Sequence, residues 1–390
     1  MSILFLTGSL EPGKDGVGDY TRLLALECAR QHQPSLVIAL NDPHVVVPVE
    51  SAETADDFRV PTLRLPASLP WKKRVELARK FRAQQPVDWV SLQFVCFAFH
   101  AKGIVVNLAP QLEPIIGDRP LHVMFHEPWV GHEETLPFKH RIMGFIQRYF
   151  IQKTFRRLHP RLVTTSNPFY LSMLKGIGLS AKELPLFGNI PVSENSELSP
   201  PPEALVRAGL CDQQGSHPNI LLGLFFGSIH PEWKPEPFLS HLLSAAQKTG
   251  KRVGLISAGR AGRLGEALWE KLRKDYAPAV DFVALDECSP SQIANLMRLA
   301  DFGLAAAPWH LLGKSGSVAA MLDHGLPVIV TSAGFSFAAS GTPEDPLLHR
   351  CDANLESKLV AGLPKRAPRS RVGDVTRKFL ACLADSATSP

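Results

Sequence analysis

The sequence contains no uninterrupted apolar run approaching the ~20 residues that a membrane-spanning helix needs, so it offers no membrane span. Cysteine is sparse: Cys28, Cys96, Cys211, Cys288, Cys351 and Cys382 are the six in 390 residues, with neither a Cys-x-x-Cys pair nor another metal-ligand spacing. That scatter excludes a disulfide framework or a zinc module as the organising device and points to a reduced, cytoplasmic setting. A strong charge imbalance is missing too. The 42 basic residues exceed the 37 acidic ones by five, spread along the chain, which suits small anionic ligands better than nucleic acid. No Asp-x-Asp metal motif is present, and Asp56-Asp57 sits in a polar stretch that reads as solvated surface. Met1–Thr7 lacks a basic leader and its apolar run has strand length, which argues against a signal peptide.

What is present is length and alternation. A chain of 390 residues with 45% hydrophobic content exceeds one core, and two domains are expected. Apolar runs of strand length recur between helical patterns: Ile3–Leu6, Leu36–Leu40, Trp89–Phe94, Leu121–Phe125 and Leu162–Thr165, with helices over Asp19–Gln31, Trp71–Gln84 and Lys139–Phe155. The second half repeats the style with runs at Leu221–Phe226, Val253–Ser257, Val280–Ala284, Phe302–Ala306 and Val328–Val330. Such alternation predicts an α/β protein of two Rossmann-like, doubly wound parallel sheets facing a central cleft. The composition resets across the Pro- and Ser-rich segment Leu184–Pro202. This gives a first domain over 1–190, a second over 191–365, and a terminal helix with a frayed tail over 366–390 that returns to the first domain.

The most telling stretch is Gly313-Lys314-Ser315-Gly316-Ser317, leading into the apolar helix pattern Val318–Leu322 and closed by Asp323-His324-Gly325-Leu326-Pro327. A Gly/Ser loop leaves amides free at a helix start, where the aligned peptide dipoles favour an anion, and Lys314 adds a full positive charge. The segment reads as a phosphate site. An ordinary helix start in an α/β protein accounts for it equally well.

Three further motifs, Asp15-Gly16-Val17-Gly18-Asp19-Tyr20 after the first strand, Phe226-Gly227-Ser228-Ile229 with Lys234, and Asp323 to Ile329, join Ala300-Asp301-Phe302 to Pro308 in a fixed order. Together they resemble the two-domain GT-B glycosyltransferases, and within them carbohydrate-active family four, with its glycogen-synthase-like donor domain. The resemblance covers essentially the whole chain. It implies transfer of a sugar from a nucleotide diphosphate sugar to a saccharide or lipid-linked acceptor, with retention and without metal or other cofactor. Gly16 and Gly18 would match the glycine loop near the phosphate and acceptor, and His126 the first-domain histidine that touches the transferred sugar. Glu127 is a candidate for binding or acid/base work. Ser228 and Lys234 would lie at the diphosphate, Glu287 at the base and ribose, and Lys314, Ser315, Gly316 and Ser317 at the phosphates.

The chain departs from that pattern in two places. Ile229 stands where the family has an arginine, leaving Lys314 and Arg260 as candidates for the missing charge. Leu312 and Ala320 occupy the positions of its paired glutamates. The alternatives are therefore an inactive nucleotide-sugar-binding or scaffold protein, or a nucleotide-sugar epimerase. Basic clusters at Trp71-Lys72-Lys73-Arg74 and at Lys153 with Arg156-Arg157 are candidates for peripheral contact with an anionic membrane; solvated helix faces are the plainer reading. Phe94, Phe97 and Phe99 read as core packing or as an acceptor pocket.

Overall fold

The computed structural model describes residues 1–131, 138–192, 200–229, 233–259, 262–285, 287–332 and 345–388. The chain divides into two compact units, Met1–Pro185 with Val372–Pro390, and Leu186–Arg371.

In the first unit the strands are β1 (Ile3–Thr7), β2 (Ser35–Asp42), β3 (Val49–Ala55), β4 (Phe58–Pro66), β5 (Trp89–Val95), β6 (Leu121–Glu127), β7 (Leu162–Thr165) and β8 (Lys182–Glu183). Their helices are α1 (Gly16–Arg30), α2 (Trp71–Arg82), α3 (Leu108–Ile116), α4 (Phe138–Leu158) and α5 (Pro168–Lys175). The strands form one sheet in the order β3-β4-β2-β1-β5-β6-β7-β8, parallel except for the antiparallel pair β3-β4 at its edge. Strands buried on both faces carry near-continuous apolar runs, which is why β1, β2 and β6 are legible in sequence. Leu4, Leu6, Ile38, Leu92, Phe94, Val123 and Phe125 point to one face and pack with Leu112 of α3 and Ile151 and Phe155 of α4.

The second unit contains α6 (Glu203–Arg207), β9 (Ile220–Phe226), α7 (Glu236–Thr249), β10 (Arg252–Ala258), α8 (Gly262–Tyr276), β11 (Asp281–Leu285), α9 (Pro290–Leu299), β12 (Phe302–Ala305), a 3-10 turn over Trp309–Lys314, α10 (Gly316–Asp323), β13 (Val328–Val330), β14 (Leu348–Arg350) and α11 (Leu355–Ala361). Its sheet is wholly parallel in the order β11-β10-β9-β12-β13-β14, with a separate apolar core on each face. The direction of winding reverses between β9 and β12, and ligands of such sheets bind beyond the strand carboxyl ends at that point.

The chain leaves the first unit after Pro185 and returns after Arg371, where boundaries at 190 and 365 were expected. The cause is a buried carboxylate. Asp323, 1% exposed at the end of α10, accepts the Gly188 amide at 2.8 Å and pairs with the Arg371 guanidinium, which also donates to Ala319 O at 3.1 Å. Arg369 N donates to Asp323 O at 2.7 Å and Arg366 N to Gly325 O at 3.1 Å, so 366–371 stay with the second unit. Gly188 fits because a Cβ there would stand 2.6 Å from Ala320 Cα. From Val372 a last helix, α12 (Val372–Thr388), packs on the first unit, where Phe379 lies 6.0 Å from Phe5 and 5.1 Å from His122 between ring centroids.

In the basic cluster at the start of α2, Lys72 and Lys73 are exposed, whereas Arg74 is turned inward. Arg74 is only 4% exposed, donating to Leu40 O at 3.2 Å and Asn41 Oδ1 at 2.7 Å, with Trp71 stacked on its guanidinium at 4.7 Å. Its charge is spent on backbone carbonyls that would otherwise be buried without partners. Phe94 and Phe99 are core residues, whereas Phe97 is exposed.

Removing one partner of a buried pair leaves the other uncompensated. Asp323→Asn should therefore lower the stability of the second unit by about 3 kcal/mol, read as an earlier urea midpoint in tryptophan fluorescence; an unchanged midpoint would contradict this account of the clamp.

Candidate functional site

In the second unit, three loops meet at the switch point between β9 and β12. Gly227, directly after β9, has φ 94°, a left-handed conformation that glycine adopts without penalty. Its amide donates to Ala258 O at 3.0 Å, and a Cβ built on it would lie 3.7 Å from Ser317 Cβ. Gly259, after β10 and also left-handed, approaches Gly227 as closely, with 3.6 Å from its built Cβ to Gly227 N. The ends of β9 and β10 and the start of α10 thus lie side by side.

The start of α10 is more structured than a free loop. Ser315 is its N-cap, its Oγ accepting from Val318 N at 3.3 Å and pairing with Ser317 Oγ at 3.1 Å. That assigns Ser315 to capping and leaves Gly316 and Ser317 as the first-turn residues, whose amides have no preceding helical carbonyl. Lys314 is half-buried and ends the 3-10 turn, one residue before the cap.

The other expected donor-side residues are dispersed in character. Ser228 and Lys234 are exposed, Glu287 is exposed beyond β11, and Arg260 lies outside the described residues. Ser289, near Glu287, is the N-cap of α9 in a capping box with Gln292. Ile229 turns into the core with Phe225 and Trp233, and the Trp233 Nε1–H donates to Thr331 Oγ1 at 2.6 Å. Leu312 and Ala320, at the positions of the family's paired glutamates, are 3% and 0% exposed and belong to a core.

In the first unit, the glycine loop works differently from expectation. Asp15 is the N-cap of α1, its carboxylate accepting from Val17 N at 2.9 Å and Gly18 N at 3.3 Å. The start of that helix already holds an anion, and burial nonetheless raises the Asp15 pKa. Neither Gly16 nor Gly18 has positive φ. Gly18 is required sterically, because a Cβ would stand 2.5 Å from Ser9 O, whereas Gly16 is exposed with nothing near it.

His126, the last residue but one of β6, is 9% exposed, with Tyr20 of α1 packed edge-on at 5.0 Å between centroids. Its Nε2 lies 2.9 Å from Gln93 Oε1, and Gln93 Nε2 donates to Ser91 Oγ at 2.8 Å. Ser91 Oγ meets His122 Nδ1 at 2.9 Å, and His122 Nε2 meets Thr164 Oγ1 at 2.8 Å. Sequence reasoning found His126 and missed the other four. The available signal was period-two polarity, Ser91/Gln93 and His122/His126, inside strands otherwise apolar on both faces. Glu127 follows half-buried. At the same carboxyl end of the sheet, the buried Thr7 Oγ1, Thr165 Oγ1, Ser166 Oγ and Asn167 Nδ2 find no partner among the described residues. Among those residues no group of three His, Cys, Asp or Glu converges as a metal site would.

No family model matches the chain, and no curated protein matches it in sequence. Solved structures do match. HepE from Anabaena, in complex with UDP and glucose, is similar at 16% identity and a TM-score of 0.52, over 99% of this chain and 100% of the other. The catalytic domain of starch synthase IV from Arabidopsis thaliana, bound to ADP and acarbose, is similar at 10% identity and 0.58, over 100% and 99%. A Listeria monocytogenes protein described as a UDP-N-acetylglucosamine 2-epimerase is similar at 11% and 0.52, over 100% and 97%. At these identities the likeness is one of fold, and the chain has the GT-B fold.

Burial pushes the pKa of both histidines down to about 3, with the neighbouring His126 adding to the effect on His122, so both rings are neutral when folded. An unfolded histidine takes up a proton near pH 6.5, so below that pH the unfolded chain binds more protons and stability falls with pH. Each ring should contribute about 1.4 kcal/mol per pH unit below that point. Urea unfolding of His126→Gln between pH 6 and 4.5 should show a slope smaller by one proton; a slope equal to wild type would place this ring in water.

Proposed function

We propose that this protein is a glycosyltransferase that moves a sugar from a nucleotide diphosphate sugar to the hydroxyl of a saccharide or lipid-linked acceptor. The observation that carries the reading is the convergence of Gly227, Gly259 and the first turn of α10 at the switch point of the second sheet. Glycines there let a diphosphate approach main-chain amides, and the helix dipole with Lys314 offsets the charge that develops on the leaving group. The reaction breaks the bond between the anomeric carbon and the phosphate oxygen and forms one to the acceptor oxygen. Nucleoside diphosphate and the acceptor's hydroxyl proton are released. Stabilisation by amides and Lys314 is compatible with turnover without added divalent metal. Retention of anomeric configuration belongs to the same proposal and rests on the resemblance to family four. HepE bound to UDP and starch synthase IV bound to ADP support a nucleoside diphosphate as the shared ligand class.

Ser228 and Lys234 are proposed at the diphosphate, and Glu287 beside the base and ribose. His126 is proposed at the carbohydrate, at the carboxyl end of the first sheet, where the buried hydroxyls of Thr7 and Ser166 find no partner among the described residues. Arg260 remains a candidate by sequence.

For the lipid-linked acceptor the supporting feature is α4. Its 21 residues, FKHRIMGFIQRYFIQKTFRRL, contain no Asp or Glu, and Ile142, Phe145 and Tyr149 on it are 46%, 72% and 55% exposed among exposed basic residues. An apolar stripe flanked by lysine and arginine fits the interface of an anionic bilayer. No helix among the described residues is long and apolar enough to cross a membrane, so contact of this kind would be peripheral.

A panel of UDP-, GDP- and ADP-sugars should contain at least one donor that raises the melting temperature, since a ligand at 100 times its Kd adds about 2.7 kcal/mol. With that donor, Lys314→Ala should lower turnover by about 10- to 100-fold, the loss of one charge-assisted hydrogen bond, without unfolding the protein. Full turnover in the variant would remove Lys314 from the site, and no shift with any donor would favour a scaffold. Separately, the protein should co-sediment with phosphatidylglycerol-containing vesicles at low salt and not with phosphatidylcholine alone. Phe145→Asp should release it; indifference to vesicle charge and to this substitution would refute the α4 contact.

A further inference from the structure

A hydrogen-bonded chain runs through the first sheet beneath the candidate carbohydrate site, and its direction is fixed by its members. Starting at its buried end, Thr164 Oγ1 donates to Met124 Sδ at 3.0 Å, so its lone pairs face His122 Nε2, 2.8 Å away. His122 therefore carries its proton on Nε2 and presents a bare Nδ1, which Ser91 satisfies by donating from Oγ at 2.9 Å. Ser91 Oγ in turn accepts from Gln93 Nε2 at 2.8 Å. With its amide nitrogen so engaged, Gln93 can offer His126 only its carbonyl oxygen, which lies 2.9 Å from His126 Nε2. Reversing any one link would set two donors or two acceptors against each other inside a sheet where an unmade bond costs about 1–3 kcal/mol.

We infer that Gln93, Ser91, His122 and Thr164 are positioning residues that lock His126 as the Nε2–H tautomer. Its Nδ1 lone pair then serves as a fixed acceptor for a hydroxyl of the bound carbohydrate. This rests on the proposed glycosyl transfer for the identity of the ligand, and on the geometry alone for the tautomer. The ring has little freedom to choose otherwise: Tyr20 packs edge-on against it, it is 9% exposed, and among the described residues only Gln93 takes one of its nitrogens. Burial keeps both histidines neutral, so the chain carries orientation and no net charge. A neutral histidine has one donor and one acceptor nitrogen, and the second is set by whatever engages the first. The remote end is shielded by α12, whose Phe379 ring stands 5.1 Å from that of His122. A sugar hydroxyl meeting Nδ1 would have to donate, which discriminates against a ligand that offers only an acceptor there.

Long-range proton–nitrogen NMR on histidine-labelled protein tests this directly, with signals assigned by their loss in His122→Gln and His126→Gln. Both rings should be neutral with the proton on Nε2. Gln93→Met removes the acceptor and should turn His126 into a mixture of tautomers, while Gln93→Glu, which restores an oxygen toward His126 but no donor toward Ser91, should return His126 to Nε2–H and turn the Ser91 hydroxyl from His122 to the carboxylate. Thr164→Val removes the acceptor at Nε2 and should release His122 to the Nδ1–H form, donating to Ser91 Oγ. In turnover assays Gln93→Met should lower kcat/KM for the donor about tenfold, with melting temperature within a few degrees of wild type and Gln93→Glu closer to wild type. A His126 proton found on Nδ1, or a tautomer indifferent to Gln93→Met, overturns the relay whichever donors bind. A relay seen as described in a protein that no nucleotide sugar stabilises overturns the glycosyl-transfer reading instead.

Discussion

The second unit is organised around the buried carboxylate of Asp323. It ends α10, pairs with Arg371 and accepts the Gly188 amide, so one charged group holds the helix and both polypeptide segments by which the unit begins and ends. A buried ion pair is seldom worth its desolvation as stability alone. Here it fixes position. With the carboxyl end of α10 pinned and its amino end capped by Ser315, the amides of Gly316 and Ser317 are presented beside Gly227 without freedom to fray. Preorganised dipoles cost no reorganisation when charge develops, which is what a leaving diphosphate requires.

The first unit solves a different problem. Its central strands are covered on both faces, yet Ser91, Gln93, His122, His126 and Thr164 are polar. Such groups are tolerated only when paired, and pairing them in series makes every link run the same way, the direction being set where Thr164 donates to Met124. Its open end is His126, while the opposite face is apolar, with Phe94, Phe125 and Phe155 stacked. The same sheet thus carries a packed core on one side and a polar register on the other.

Much of the architecture was readable in the sequence, because parallel strands buried on both faces leave continuous apolar runs that a helix-period pattern separates. The exceptions have physical causes. The β3-β4 hairpin was invisible because VESAETA is a half-exposed, polar edge strand whose pairing is antiparallel and local. Helix α3 was obscured by its internal Pro114. Of the site, the region around 313–317 was legible as a helix start, but the division of labour was not: Ser315 caps, and Lys314 closes a 3-10 turn that no periodicity announces. Gly18 is required by its contact with Ser9 O and not by a left-handed backbone, which its sequence context alone does not distinguish. Arg74 and Ile229 show the limit of reading side chains by type, since one is a buried arginine and the other a core residue at an expected cation position. The relay behind His126 depends on contacts between residues 31 to 42 positions apart, which a single sequence does not record.

The central claim is that main-chain amides of the second unit hold the diphosphate of a nucleotide. Amide proton–nitrogen spectra of deuterated protein, titrated with UDP and with ADP, test it most directly. The account predicts that one of these nucleotides shifts Gly316, Ser317, Gly227 and Gly259 more than any other amides, saturably and together. Saturable binding that leaves those four resonances in place would contradict it.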